Sequence, residues 1–181
     1  MRDIKKKILP ILLFVTLLLP MTSCMDNDDS TWEQYREWRE YNQSWLLEEL
    51  TRTNADGTSY YTQCIMPTDP QAVIYMHRIG ESNSEALQPL FTSTTKVNYT
   101  LKLANDSVLD KATDFVSQLS STSLITGWSL AVMQLHVGDT AQFILPYNVG
   151  YGSIGSTNIL PYTNLQFNIR LVDIEGFEVR P

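Results

Sequence analysis

Leu124-Ile-Thr-Gly-Trp128, Val137-Gly-Asp139, Pro146-Tyr-Asn-Val-Gly-Tyr-Gly152, Ile159-Leu-Pro161 and Leu165-Gln-Phe-Asn-Ile-Arg-Leu171 follow one another within residues 124–172. Thr126-Gly-Trp128 opens a short helix that runs to about His136, and Val137-Gly-Asp139 closes it with turn chemistry. Ala141 to Leu145 is an apolar run of strand length. Leu165, Phe167, Ile169 and Leu171 alternate with Gln166, Asn168 and Arg170, the period of a half-buried final strand. The stretch therefore offers an apolar, aromatic site, with Trp128 at a helix start, Tyr151, Ile159 and Leu160 in one loop region, and Phe167 on a strand.

Working outward, Val97, Tyr99, Leu101 and Leu103 alternate cleanly and share one face of a strand. Residues 60–66 and 72–79 are apolar or β-branched runs parted by Pro67-Thr-Asp-Pro70, and residues 81–89 form a polar excursion. Asn105-Asp-Ser107 is a turn before Val108-Leu-Asp110. Residues 111–123 read as a polar, Ser/Thr-rich link that carries Phe115 and Leu119. Upstream, Thr31 to Arg52 reads as one helix, capped by Asp29, Ser30 or Thr31. Trp32, Tyr35, Trp38, Trp45, Leu46 and Leu50 recur on it at threes and fours. This aromatic stripe is expected to pack on its own domain; the competing expectation is a partner surface.

The first 23 residues are expected to lie outside the fold. Arg2, Lys5, Lys6 and Lys7 precede an apolar run from Ile8 to Leu19, too short to span a membrane but suited to a secretory signal. Met21-Thr-Ser-Cys24 resembles a bacterial lipobox, in which the cysteine is diacylated and becomes the new N-terminus; Met21 stands where leucine is usual. Two acyl chains would make anchoring stable. The implied location is the cell envelope, lipid-anchored at an outer membrane on its periplasmic or surface face. Acidic residues directly after the cysteine resemble a surface-export signal. The expected organisation is a signal peptide over 1–23, an acidic tether over 24–30, a helical extension over 31–57 and one domain over 58–181. Removing a segment of net charge +3 takes the formal charge from −7 to −10. An acidic surface of that size repels nucleic acid and anionic lipid, so neither is an expected ligand. With Cys24 lipidated, Cys64 stands alone as a small buried hydrophobe. His77 and His136 lack ligand spacing, so no metal site is expected.

Gly150-Tyr-Gly-Ser-Ile-Gly155 matches the spacing of a dinucleotide fingerprint, but a strand rather than a helix follows it, so no helix N-terminus waits for a phosphate. No nucleophile elbow and no diagnostic carboxylate pair appears.

In order and spacing the stretch resembles the C-terminal half of the FKBP-type peptidyl-prolyl cis-trans isomerases. Leu124-Ile-Thr-Gly-Trp128 matches that family's Val-Ile-x-Gly-Trp, whose tryptophan floors a proline pocket. Tyr151-Gly152 matches its Tyr-Gly pair, Ile159-Leu-Pro161 its Ile-Ile-Pro loop, and Phe167 its last-strand aromatic. Tyr99 matches the strand tyrosine, Leu109-Asp110 the Phe-Asp pair, and Phe115 another pocket aromatic. The resemblance is close over residues 95–174 and vague over 58–94. It implies an α+β fold, a curled antiparallel sheet wrapped on a short helix, with an added N-terminal helix. It also implies proline-containing polypeptides as ligands and no cofactor. By the same resemblance Trp128, Phe167, Phe115 and Tyr99 enclose the prolyl ring. Ile125 and Tyr151 offer an N–H and a hydroxyl to substrate carbonyls, and Asp110 receives a polar contact near the twisting bond. Leu109, Leu124, Ile159 and Leu160 complete the substrate walls. Four departures stand out: Leu109 replaces an aromatic, Ser156 replaces a histidine, the loop after Asp110 is shorter and lacks an arginine, and the segment after Pro161 is one residue short. Two functions are compatible with these residues: an isomerase assisting the folding of exported proteins, or a weakly active or inactive module that binds a peptide or partner.

Overall fold

The strand singled out by its alternation lies inside the sheet. In the computed structural model, which describes residues 27–66 and 69–176, Leu165, Phe167, Ile169 and Leu171 are all buried while Arg170 is exposed. The expected signal segment, Cys24 and the start of the acidic tether lie outside the described residues. The strands are β1 (Thr62–Met66), β2 (Asp69–Ile79), β3 (Thr94–Leu103), β4 (Val108–Gln118), β5 (Thr140–Leu145) and β6 (Leu165–Glu175). They form one six-stranded sheet in the order β1-β2-β5-β6-β3-β4, and every neighbouring pair is antiparallel. Phe167 of β6 faces Phe143 of β5 on one side and Leu101 of β3 on the other. The sheet curls around a short helix, α3 (Thr126–Val132), which is buried from Gly127 to Val132 and packs on β1, β2 and β5. This is the expected α+β architecture.

Three expectations about the elements need correction. Residues 111–118 belong to strand β4, not to a polar link. A bulge hides its period: Val97 pairs with Phe115 and Tyr99 with Ala112, and Asp114 adopts a φ of 52°. The strand is also at the sheet edge, so its outward residues are polar. The helix opened by Thr126 ends at Val132 rather than near His136. Gln134 and Leu135 donate to Ala131 and Val132, the tighter bonding of a closing turn. The upstream helix is two helices, α1 (Asn27–Gln34) and α2 (Arg36–Leu50), broken at Tyr35 (φ −103°, ψ 20°). Its first turn takes up part of the expected tether.

The two helices pack on their own domain. The Trp38 indole N–H donates to Thr163 Oγ1 at 2.8 Å, and the Tyr41 hydroxyl donates to the Ala104 carbonyl at 3.2 Å. Asn42, the one buried residue of α2, accepts the Asn164 backbone N–H at 2.9 Å and takes the Asn164 side-chain amide on its own carbonyl at 2.8 Å. Asn164 in turn accepts the Tyr147 N–H. Trp32 meets Tyr162 edge-on, with ring centroids 5.4 Å apart. Buried amide pairs of this kind are costly to leave half-made, so α2 is fastened to the segment before β6.

The polar excursion after β2 is tied down by a buried carboxylate. The Asp139 side chain is 1% exposed. It pairs with the Arg78 guanidinium and accepts the backbone N–H groups of Asn83 (2.8 Å) and His136 (3.0 Å) and the Ser82 hydroxyl (3.2 Å). Burial alone would raise its pKa, but the two N–H groups and Arg78 outweigh burial and lower it from 3.8 to about 2. A carboxyl that ionises more readily in the folded state stabilises the fold above its unfolded pKa. That contribution disappears as pH falls from about 4 to 2, and amounts to about 2 kcal/mol. Urea denaturation is therefore expected to show stability falling across this window in the wild type. In Asp139→Asn the stability should be lower by about 3–5 kcal/mol at pH 7 and this part of the pH dependence should be gone. An Asp139→Asn protein with the wild-type pH profile would contradict the assignment.

Candidate active site

Gly127 sets the position of the site. A Cβ there would lie 2.7 Å from Leu145 Cγ and 3.0 Å from the Val149 carbonyl oxygen. Only a residue without a side chain lets the first turn of α3 approach β5 so closely. The next residue, Trp128, is thereby carried under the sheet, where it is 4% exposed. Three rings from three strands meet it edge-on: Tyr99 of β3 at 5.1 Å, Phe167 of β6 at 5.4 Å and Phe115 of β4 at 5.9 Å between centroids. Edge-to-face packing suits the positive ring edge and negative ring face. Leu101 pairs directly with Phe167, and Tyr99 lies two residues earlier on the same face of β3. The β4 bulge shifts Phe115 relative to Ala112 and brings it to this cluster.

These rings surround a small hollow of about 130 Å³. Eight of the residues singled out in the sequence line it: Asp110, Ile125, Trp128 and Tyr151, with Tyr99, Phe115, Leu124 and Phe167. Leu101 and Ser123 line it as well and were not singled out. The period of β3 already placed Leu101 on the Tyr99 face; Ser123 gives no sequence signal beyond its nearness to Leu124. Leu109, Ile159 and Leu160 do not line the hollow. Leu109 packs half-buried against the core, and Ile159 belongs to the core. Leu160 is 47% exposed. A short bridge between Ser156 and Ile159 folds that loop on itself. Gly155 makes this possible, with a φ of 75° and the Ile159 carbonyl only 2.4 Å from where a Cβ would stand.

The polar groups sit at the rim. The Tyr99 hydroxyl donates to Asp110 Oδ2 at 2.6 Å, while Asp110 Oδ1 accepts the Lys111 N–H at 2.8 Å. Burial, then the bond to Asp110, pushes the Tyr99 hydroxyl well above the ordinary tyrosine range, so it stays a donor. Ile125 precedes the helix with extended backbone (φ −69°, ψ 145°). Its carbonyl accepts the Trp128 N–H, and its own N–H has no acceptor among the described residues. Tyr151 is 38% exposed, on a loop braced by Gly152 N–H donating to the Tyr147 carbonyl and Gly155 N–H donating to the Tyr151 carbonyl. The buried Trp128 Nε1 likewise has no partner among the described residues. A peptide carbonyl arriving here would meet the unused Ile125 N–H in an apolar setting. Among the described residues no cluster of His, Cys, Asp or Glu is arranged to hold a metal. His77 stacks on Tyr60, and Cys64 is a buried thiol whose pKa burial raises.

An antiparallel sheet curled on one short helix, with an aromatic cage over the helix N-terminus, defines an FKBP-like domain. Residues 88–172 match the model of the FKBP-type peptidyl-prolyl cis-trans isomerase family. The chain is 34% identical over 86 residues to FK506-binding protein 1A of Emericella nidulans, covering 45% of this chain and 80% of that one. It is 32% identical over 84 residues to FK506-binding protein 2 of Dictyostelium discoideum, covering 44% of this chain and 63% of that one. With FK506-binding protein 5 of Rhizopus delemar it shares 35% over 77 residues, 42% of this chain and 19% of that one. The chain thus spans less than two thirds of these last two relatives. The crystal structure of a peptidyl-prolyl cis-trans isomerase from Pseudomonas syringae pv. tomato has the same fold, with a TM-score of 0.63 at 20% identity over 77% of this chain and 95% of that one. The chain belongs to the FKBP-type peptidyl-prolyl cis-trans isomerase family.

Proposed function

We propose that this domain isomerises X-Pro bonds in exported polypeptides. The observation that carries the reading is the hollow walled by Tyr99, Phe115, Trp128 and Phe167, with the unused Ile125 N–H on its lining. Rotation about an X-Pro bond crosses a barrier of about 18–20 kcal/mol and takes tens of seconds unaided. No covalent bond forms or breaks, so no nucleophile is needed. Twisting the amide removes its resonance and makes its carbonyl less polar. A dry apolar enclosure therefore favours the twisted form over the planar one, which is the differential binding that catalysis requires. Trp128, Tyr99, Phe115 and Phe167 hold the prolyl ring. The Ile125 N–H and the Tyr151 hydroxyl fix the flanking carbonyls, while Asp110, oriented by Tyr99 and Lys111, lies beside the rotating bond. A thousandfold acceleration needs only about 4 kcal/mol of such preference.

Leu109 supports a second reading. It stands where the family has an aromatic and lies outside the hollow, so the enclosure has one ring fewer, and a binding module with little catalysis is the alternative. A protease-coupled assay on Phe-Pro and Leu-Pro tetrapeptides separates the two. The isomerase reading expects a rate that rises with protein concentration. It expects a loss of about tenfold or more in kcat/KM for Trp128→Leu, equivalent to about 1.4 kcal/mol, and a smaller loss for Tyr151→Phe. Rates equal to the uncatalysed ones, with the peptides still bound, would leave only the binding module.

The same proposal places the domain at the cell envelope, held by a lipid on Cys24. The basic and apolar segment before Cys24 and the acidic residues after it support this. Among the described residues no helix is long and apolar enough to cross a membrane. Expressed in a Gram-negative host, the full chain is expected to enter the detergent phase on Triton X-114 partition. Cys24→Ser should stay in the aqueous phase; equal partition of the two would end the lipid assignment.

A further inference from the structure

Beside the aromatic hollow lies a second and larger one, about 710 Å³ against about 130 Å³. Its apolar lining comes from Met66, Phe91, Leu119, Leu124 and Met133. The rest of the lining is serine and threonine, and no ionisable side chain contributes. On a chain of net charge −7 such an uncharged surface is selective: it neither attracts nor repels charge, and it rewards apolar contact. Leu124 lines both hollows, and Ile125, whose N–H faces no acceptor, stands between Leu124 and Thr126 of the larger one. The two therefore adjoin along residues 124–126.

The outer wall is preformed. The Gln88 side chain donates to the Met133 carbonyl at 2.7 Å, the Val137 N–H to the Leu87 carbonyl at 2.9 Å, and the Leu119 N–H to the Ser93 carbonyl at 3.0 Å. Asp139 fastens the same excursion at Asn83. Phe91 is nonetheless 50% exposed, an aromatic held out over the groove by a fixed backbone. Two of the lining residues are methionines, whose unbranched, polarisable side chains adapt to varied apolar shapes.

We infer that this groove receives apolar side chains of the same polypeptide whose X-Pro bond occupies the aromatic hollow. The inference rests on the isomerase reading and makes it more specific: the preferred substrate is an unfolded chain with apolar residues near the proline, not a short peptide. The shared wall at Leu124 and the absence of ionisable side chains single out this occupant.

The test compares two substrates, a Leu-Pro tetrapeptide and a reduced, carboxymethylated ribonuclease whose refolding is limited by prolyl isomerisation. Phe91→Asp and, separately, Thr122→Arg at the exposed rim place charge in the groove while leaving the aromatic hollow intact; circular dichroism and thermal unfolding verify each fold. Each variant is expected to lose at least fivefold in kcat/KM on the ribonuclease and to stay within twofold of wild type on the tetrapeptide. Unchanged activity on both substrates would overturn the inference, as would a parallel loss on both in a folded variant. If the wild type isomerises neither, the isomerase reading fails by itself. Fluorescence anisotropy with the same ribonuclease, permanently unfolded, then decides the groove: binding weakened at least fivefold by either variant supports it, and equal binding overturns it. A dimer seen by sedimentation that Phe91→Asp dissolves, with ribonuclease refolding untouched, would assign the groove to a second copy instead and overturn the inference.

Discussion

The close approach of α3 to β5 at Gly127 governs much of this structure. With no side chain at that position, the helix start settles so close to β5 that a Cβ on Gly127 would stand only 2.7 Å from Leu145 Cγ. Trp128 then becomes the floor on which β3, β4 and β6 converge, each contributing one ring. Core and site are thus one packing arrangement. The residues that bury the indole also leave the hollow above it, and a change in either alters both. Rigid packing of this kind suits a reaction in which the protein supplies only shape, dryness and a few fixed donors.

The N-terminal helices and the polar excursion show how additions to such a sheet are secured. Both are held by buried polar groups rather than by greasy faces alone. Asn42 binds Asn164 immediately before β6, and Asp139 gathers Arg78, Ser82, Asn83 and His136 at the start of β5. The first anchor lies next to β6, which carries Phe167, and the second at the start of β5, which pairs with β6. α2 braces the segment entering β6, and the excursion forms the outer wall of the larger groove. The additions therefore enlarge the surface around the aromatic hollow without entering it.

Much of this was legible in the sequence because β3 and β6 keep a strict period of two, and because Gly127-Trp128 and Tyr151-Gly152 occur at a telling spacing. Eight residues of the hollow could be named that way. What stayed hidden has physical causes. The β4 bulge breaks the alternation around Asp114, so a strand looks like a link. Leu160 and Ile159 follow a loop whose fold depends on Gly155 and a two-residue bridge, which no pattern reveals. The Arg78–Asp139 pair joins residues 61 positions apart and is a product of topology rather than of local sequence. The break at Tyr35 does not interrupt the aromatic stripe, so two helices read as one.

The central claim is that the hollow over Trp128 takes a prolyl ring. The most direct measurement is the proton NMR spectrum of a Leu-Pro peptide titrated with the protein. A ring placed among four aromatic side chains should show its proline protons shifted upfield by ring currents, and Trp128→Leu should abolish most of that shift. Proline resonances that stay in place with the wild type, or shift equally with Trp128→Leu, would contradict the account.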